Sequence, residues 1–190
     1  MKKIALLAAL LWLSGCSTLS TSPDRAYQGV QGQQVLYTLS HWSFEGRVAI
    51  VSKSDVEQAN IHWIHSPQEE VIKLSGPLGQ GAVMMTLNAQ GVTIDKGGNE
   101  IKTSTNPESL IYQEVGLFVP VTFLRNWVVG LPEREEALTV LEGGFEQAGW
   151  RILYKAMQPV KSYLLPRHVV VTNDTVKLKL FIDEWNVDGN

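Results

Sequence analysis

The stretch Val176-Lys177-Leu178-Lys179-Leu180-Phe181-Ile182-Asp183-Glu184-Trp185 carries a period of two. Val176, Leu178, Leu180 and Ile182 stand against Lys177, Lys179, Phe181 and Asp183, which is the pattern of a strand with one face buried. Moving back along the chain, strands are predicted around 167–172 and 149–154. The N-terminal half adds five more. Phe44, Val48 and Ile50 alternate with Glu45, Arg47 and Ala49, and Ala59, Ile61 and Trp63 alternate with Asn60, His62 and Ile64. Ile72 and Leu74, then Val83, Met85 and Leu87, then Val92 and Ile94 continue the series. Ser66-Pro67, Gly76-Pro77-Leu78-Gly79, the stretch 88–91 and Gly97-Gly98 supply the turns between them. Short strands in meander order make a large antiparallel sheet.

Only the middle of the chain breaks the period. Asn106 can cap a helix with Pro107 at its first position, Leu110 and Ile111 inside it and Gly116 as its stop. A second helix is predicted over 121–129, with Phe123, Leu124, Trp127 and Val128 on one face; Gly130 ends it and Pro132 prevents its return. No repeat of 20 to 50 residues is visible. The expected architecture is mainly β, with two short helices inserted in the middle of the sheet.

The start of the chain bears on the compartment. Lys2 and Lys3 precede an apolar run, 4–13, and Leu13-Ser14-Gly15-Cys16 follows. The run is too short to span a bilayer, which takes about 20 apolar residues, and its layout is that of a secretory signal. Its Leu-Ser-Gly-Cys ending resembles the lipobox of bacterial lipoproteins, which implies cleavage before Cys16 and lipidation of its thiol. Residues 1–15 are then a signal, 16–34 a lipidated tether that Pro23 could make partly helical, and 35–190 one domain. Cys16 is the only cysteine, so an exported domain must hold together without disulfides. Without Lys2 and Lys3, 14 basic residues remain against 19 acidic ones, a net charge of −5. Such a surface does not invite nucleic acid, and charge is not expected to hold the domain on anionic lipid.

Catalytic chemistry finds little support. No Gly-x-Ser-x-Gly elbow is present, and Cys16 is spoken for as the acyl acceptor. His62 and His65 lie three apart on one predicted strand, hence on opposite faces, and make poor joint metal ligands. Glu69 and Glu70 read as solvated charges in a turn. No cofactor, metal or catalytic residue is expected, and an envelope hydrolase would need a polar triad that the chain does not offer. The tryptophans say more. Trp42, Trp63, Trp127, Trp150 and Trp185 sit on or beside predicted elements. They can be core, or some can line the cavity left by a sheet that curves without closing under two helices.

A resemblance ties these features together. Phe44-Glu45-Gly46-Arg47 opens the first strand, Trp63 lies on the second and Gly76-Pro77-Leu78-Gly79 forms a hairpin. Pro107-Glu108-Ser109-Leu110, Gly116-Leu117-Phe118-Val119-Pro120-Val121 and Leu124-Arg125-Asn126-Trp127-Val128-Val129-Gly130-Leu131-Pro132 follow. Gly149-Trp150, Leu165-Pro166-Arg167 and a lysine-rich strand ending in Trp185 complete the set. In this order they resemble the LolB family of outer-membrane lipoprotein receptors over most of 42–186; the stretch 133–148 and the tether match weakly. The resemblance implies an incomplete β-barrel with a helical lid over an apolar cavity, in a protein that is not an enzyme. It implies a LolA-like periplasmic carrier as partner, triacylated lipoproteins as cargo, and outer-membrane lipid as the destination. The protein would be a lipid-anchored monomer facing the periplasm, where Ser17 after the lipidated cysteine suits outer-membrane residence. From alternation and helix face, Ile61, Trp63, Leu74, Trp127, Trp150 and Leu180 are expected to line the cavity. Leu78 takes the place of the exposed loop leucine that helps LolB-like proteins release cargo into the bilayer. A lipid-binding lipoprotein of the same fold, serving another amphiphile, is the alternative.

Overall fold

The computed structural model describes residues 24–187, apart from 53, 54, 99 and 117. Among them eleven strands form one sheet. They are β1 (Trp42–Val51), β2 (Val56–His65), β3 (Glu69–Ser75), β4 (Val83–Asn88), β5 (Gly91–Asp95), β6 (Ile101–Ser104), β7 (Leu138–Leu141), β8 (Gly144–Gln147), β9 (Trp150–Val160), β10 (Tyr163–Thr172) and β11 (Lys177–Val187). Their order in space is β6-β5-β4-β3-β2-β1-β11-β10-β9-β8-β7, and the pairs are antiparallel. One meander runs from β1 out to β6, a second runs from β7 back to β11, and β11 zips onto β1. The edge strands β6 and β7 do not pair with each other. The chain between them carries α2 (Pro107–Val115) and α3 (Val121–Trp127).

Laid flat, eleven strands about 4.8 Å apart would span roughly 50 Å. Yet Ile94 on β5 and Ile152 on β9 belong to one buried cluster, which also holds Leu110 of α2 and Trp127 of α3. The sheet therefore curves round a single core as a barrel that stops short of closure.

The seam between β1 and β11 depends on a bulge. Phe44 pairs with Trp185 and Glu45 with Glu184, but Gly46 pairs with Ile182, so Asp183 is an extra residue. The insertion shifts the parity of β11, and Trp185 and Val187 face inward along with Leu178, Leu180 and Ile182. A Cβ at position 46 would lie 2.2 Å from the Phe181 carbonyl oxygen, so only glycine fits there. On the outer face the Arg47 guanidinium bonds both carboxylate oxygens of the extra Asp183, at 3.1 and 2.8 Å. Phe44-Glu45-Gly46-Arg47 is the chemistry of this seam.

In the extents of its strands and helices the structure differs from the sequence reading in three places. Strands β6, β7 and β8, four residues each, are too short to establish a period. The strands predicted at 149–154 and 167–172 extend to Val160 and back to Tyr163, taking in two prolines. Pro159 lies beyond the reach of β8, which covers β9 only from Trp150 to Leu153, and Pro166 sits at a register shift; edges and bulges are where a strand accepts proline. The helix predicted over 121–129 ends at Trp127 and continues as a turn to Gly130.

The segment 24–34, expected as tether, is docked on the domain. Arg25 exchanges two backbone hydrogen bonds of 2.9 Å with Met157 on β9, and Tyr27 stacks on Tyr154 with ring centroids 4.3 Å apart. A single helical turn, α1 (Gly29–Gly32), and a 3-10 turn (Gln34–Thr38) follow, and Leu36 enters the core. The glycines at 29 and 32 keep α1 short. Pro23, Ser17 and Cys16 lie outside the described residues.

Candidate functional site

The expected lining residues come from four strands and one helix. Ile61 and Trp63 lie on β2, Leu74 on β3, Trp150 at the start of β9, Leu180 on β11 and Trp127 at the end of α3. Five are buried, and Leu74 is partly buried against the same cluster. They gather in two groups. Trp63 packs with Trp42 and Phe44, on which Trp185 packs in turn, and the contacting rings have centroids 5.0–6.1 Å apart. Trp127 packs with Phe123 at 5.9 Å and Trp150 at 6.4 Å. Trp63 is 1% and Trp127 0% exposed; at those values no water-sized gap lies against either ring. The apolar interior exists, and in this state it is closed on itself.

Each group hangs on a polar anchor, as buried indoles do. Trp63 Nε1 donates to Glu70 Oε2 at 2.7 Å, and the other carboxylate oxygen pairs with His65 Nδ1 at 2.6 Å. His65 in turn stacks on Trp42. Glu70 is thus a buried partner, not the solvated turn charge that its neighbour Glu69 is. Its parity was the available signal: Glu70, Ile72 and Leu74 share one face of β3. His62 points to the opposite face, as its spacing from His65 requires, and among the described residues no three ligating side chains are grouped to hold a metal.

The second anchor is more extensive. Trp127 Nε1 donates to Gln147 Oε1 at 2.9 Å, and the same oxygen accepts the Glu133 backbone N–H at 2.7 Å. Three tyrosines then hold the turn after α3: Tyr154 donates to the Trp127 carbonyl at 2.8 Å, Tyr27 to Gly130 at 3.0 Å and Tyr37 to Pro132 at 2.8 Å. Burial pushes the hydroxyl pKa values of Tyr154 and Tyr27 up, so both stay protonated donors. Gly130 has φ +102, a conformation that glycine accepts most readily. Leu124-x-x-Trp127-x-x-Gly130-Leu131-Pro132 is therefore a packing signature. Sequence reading placed Trp127 but missed Gln147 and the tyrosines, whose partners are distant in the chain.

Helix α2 sits differently. Asn106 caps it through Ser109 N at 3.0 Å, Pro107 begins it and Gly116 ends it at φ +73, as its sequence predicts. Leu110 and Ile111 dip into the core while Tyr112 stays exposed. Thr122 of α3 donates to its Glu108 at 3.1 Å, and at the sheet edge Lys96 and Lys102 reach the Glu114 carboxylate at 3.0 and 2.7 Å; these hydrogen bonds hold the Glu114 pKa below the usual carboxylate range. Where the starts of both helices meet the β2–β3 and β4–β5 turns lies a cleft of about 560 Å³, with Glu70, Leu87, Pro107, Val121 and Arg125 in its wall. It opens directly over the Trp63 anchor.

Leu78 tops the hairpin between β3 and β4. The turn closes through Gly79 N to Gly76 O and Gly76 N to Gln80 O, both 2.8 Å, and Leu78 is left 91% exposed. At its root Asn60 donates to the Gly76 carbonyl at 3.2 Å.

Residues 40–185 match the family model of the outer membrane lipoprotein LolB. The outer-membrane lipoprotein LolB of Chromohalobacter salexigens is 33% identical over 184 residues, covering 92% of this chain and 86% of the relative. That of Halorhodospira halophila is 31% identical over 188 residues, covering 95% and 92%. Among solved structures, a LolA-superfamily protein from Nitrosomonas europaea shares the fold with a TM-score of 0.51 and 6% identity, over 80% of this chain and 88% of that one. The chain belongs to the LolB family of outer-membrane lipoproteins.

Proposed function

We propose that this protein takes the acyl chains of triacylated lipoproteins from a LolA-like periplasmic carrier into its apolar interior and releases them into the outer membrane, where Cys16 anchors it. The observation that carries this reading is an apolar interior closed by a helix attached at a sheet edge. Three acyl chains hold about 45 methylenes, and at ~0.8 kcal/mol each their exposure to water would cost roughly 35 kcal/mol. Free diffusion of such cargo is excluded, and a shielding interior removes most of the penalty. Opening requires α2 to leave the edge while α3 stays, which would uncover the space between Trp63 and Trp127 for the chains. The 560 Å³ cleft at the start of both helices is the natural place for access to begin. No nucleotide-binding loop is present in the sequence, so transfer runs downhill through differing affinities of carrier, receptor and bilayer.

Leu78 is the delivery element in this reading. Exposing a leucine costs up to roughly 2 kcal/mol relative to burying it, a cost that makes sense where the side chain meets hydrocarbon during function. The test is a chase from loaded carrier to this protein and then to vesicles. Leu78→Glu should leave the melting temperature and acceptance of cargo near parental values and sharply reduce insertion into vesicles. Failure of both steps together, with a loss of stability like that of a core substitution, would show instead that Leu78 supports its own hairpin.

A further inference from the structure

The chain is acidic overall, but the fold sorts its charge. The outer face of β9, β10, β11 and β1 presents Lys155, Lys177 and Lys179. None of the three is ion-paired among the described residues. Of the carboxylates on or near the same strands, Asp183 is matched by Arg47, Glu146 by Arg151 and Asp24 by Arg167, while Glu45 and Glu184, opposite each other across the β1–β11 seam and without an ion pair among the described residues, lie toward its other end from Lys177 and Lys179. His168 marks the centre of the face. Its ring stacks on the exposed Phe181 at 4.1 Å, and burial, then the ammonium groups of Lys179 and Lys155, hold its pKa below the ordinary value. The Leu78 hairpin leans onto this face, for Pro77 shares a small cleft with Arg47, Ala49, Gln58 and Phe181.

We propose that this outer face docks on an anionic bilayer surface, with Lys155, Lys177 and Lys179 meeting lipid phosphates while Leu78 and Phe181 enter the interface. The inference rests on the reading of Leu78 as the delivery loop and gives that loop a platform. An apolar tip alone lacks an orientation; unpaired lysines beside it set one, and the acidic remainder of the surface is repelled from the same membrane. The hairpin would then enter the bilayer with the sheet lying against the headgroups.

The experiment uses the chain from residue 16 on with Cys16→Ala, so that no acyl anchor contributes. Flotation is measured with phosphatidylcholine vesicles, with and without about one-third phosphatidylglycerol, at low salt and at about 0.5 M salt. Binding is expected only with the anionic lipid and is expected to fade at high salt. Lys155→Gln, Lys177→Gln and Lys179→Gln together should weaken it on the order of a hundredfold, about fivefold per charge. The three Lys→Arg changes should leave it intact, and melting temperatures of both variants should match the parent. Parental flotation of the triple Gln variant, or binding indifferent to salt and lipid charge, overturns the proposal without touching the Leu78 reading. Loss of uptake from the loaded carrier with flotation unchanged would assign the face to an acidic protein partner and also overturns it. Delivery that survives Leu78→Glu defeats the underlying reading, whatever the lysines do.

Discussion

The two helices over the open edge of the sheet are close in length and opposite in attachment. Helix α3 has no side-chain cap, yet Val121, Leu124 and Trp127 are buried, and residues 128–132 stay buried after it ends. Its Trp127 is bonded at both the indole and the carbonyl, to Gln147 and Tyr154. Helix α2 has every local signal, with Asn106, Pro107 and Gly116 in place, but reaches the core through Leu110 and Ile111 and is otherwise tied by two lysines to Glu114 and by Thr122 of α3, which donates to Glu108 at 3.1 Å. Good capping stabilises the ends of a helix, but it does not fix the helix to the domain, and so short a helix owes most of its stability to packing. The contrast sets an expectation: α2 should open from the domain more readily than α3, which is part of the wall.

The largest expected effect falls on α3. Trp127→Ala removes a fully buried ring and leaves Gln147 short of a partner, and should cost about 3–5 kcal/mol by denaturant unfolding. A loss within the range of a surface substitution would mean that α3 is no more embedded than α2 and would break the contrast. Gln147→Leu is the next test. It strands the Trp127 indole N–H and the Glu133 N–H, at a cost of about 1–3 kcal/mol, with no direct effect on α2.

Ile111→Val trims one methylene where α2 meets the core, for an expected loss of about 0.5–1.5 kcal/mol. Its sharper consequence is local. Native-state hydrogen exchange should show the α2 amides opening well below the global unfolding free energy, and more readily in the variant, while the α3 amides follow global unfolding. Identical protection of the two helices in the parent would remove the contrast.

The same contrast explains what could be read in advance. The caps of α2, the alternation of β11 and the tryptophans are local patterns, and each led to the right element. The family motifs were visible too, but their physical roles were not. Gly46 is required by a bulge opposite Asp183, and Gly130 by a turn held by Tyr27, Tyr37 and Tyr154; both depend on residues far away in the sequence. Glu70 was misread because a carboxylate in a turn is usually solvated, and only the need of Trp63 for an acceptor reverses that prior. The docking of 24–34 was not legible locally, since the backbone bridge to Met157 has no side-chain signature and the partners of Asp24 and Tyr27 lie more than 100 residues away.

The smallest effect concerns the ties of α2 and depends on pH. Glu114 has its pKa lowered from 4.5, first by hydrogen bonds from Lys102 and Lys96 and then by their charge. A depressed carboxylate binds fewer protons folded than unfolded, so its contribution is fully present above pH 4.5 and is lost as pH falls through the folded value. The Lys102 pKa is raised by the same hydrogen bond, so acid removes only the acceptor. Below about pH 4.5 the α2 amides should gain a faster opening rate, after correction for intrinsic exchange, while α3 keeps its protection. Glu114→Gln should produce the faster opening already at neutral pH and abolish its acid dependence, with the melting temperature little changed because Lys102 is exposed and water screens the pair. If acid loosens both helices equally in the parent, the response belongs to the whole domain; if Glu114→Gln leaves α2 protection as it was, Leu110, Ile111 and the Thr122–Glu108 hydrogen bond hold the helix, and the lysines at the sheet edge are not its latch.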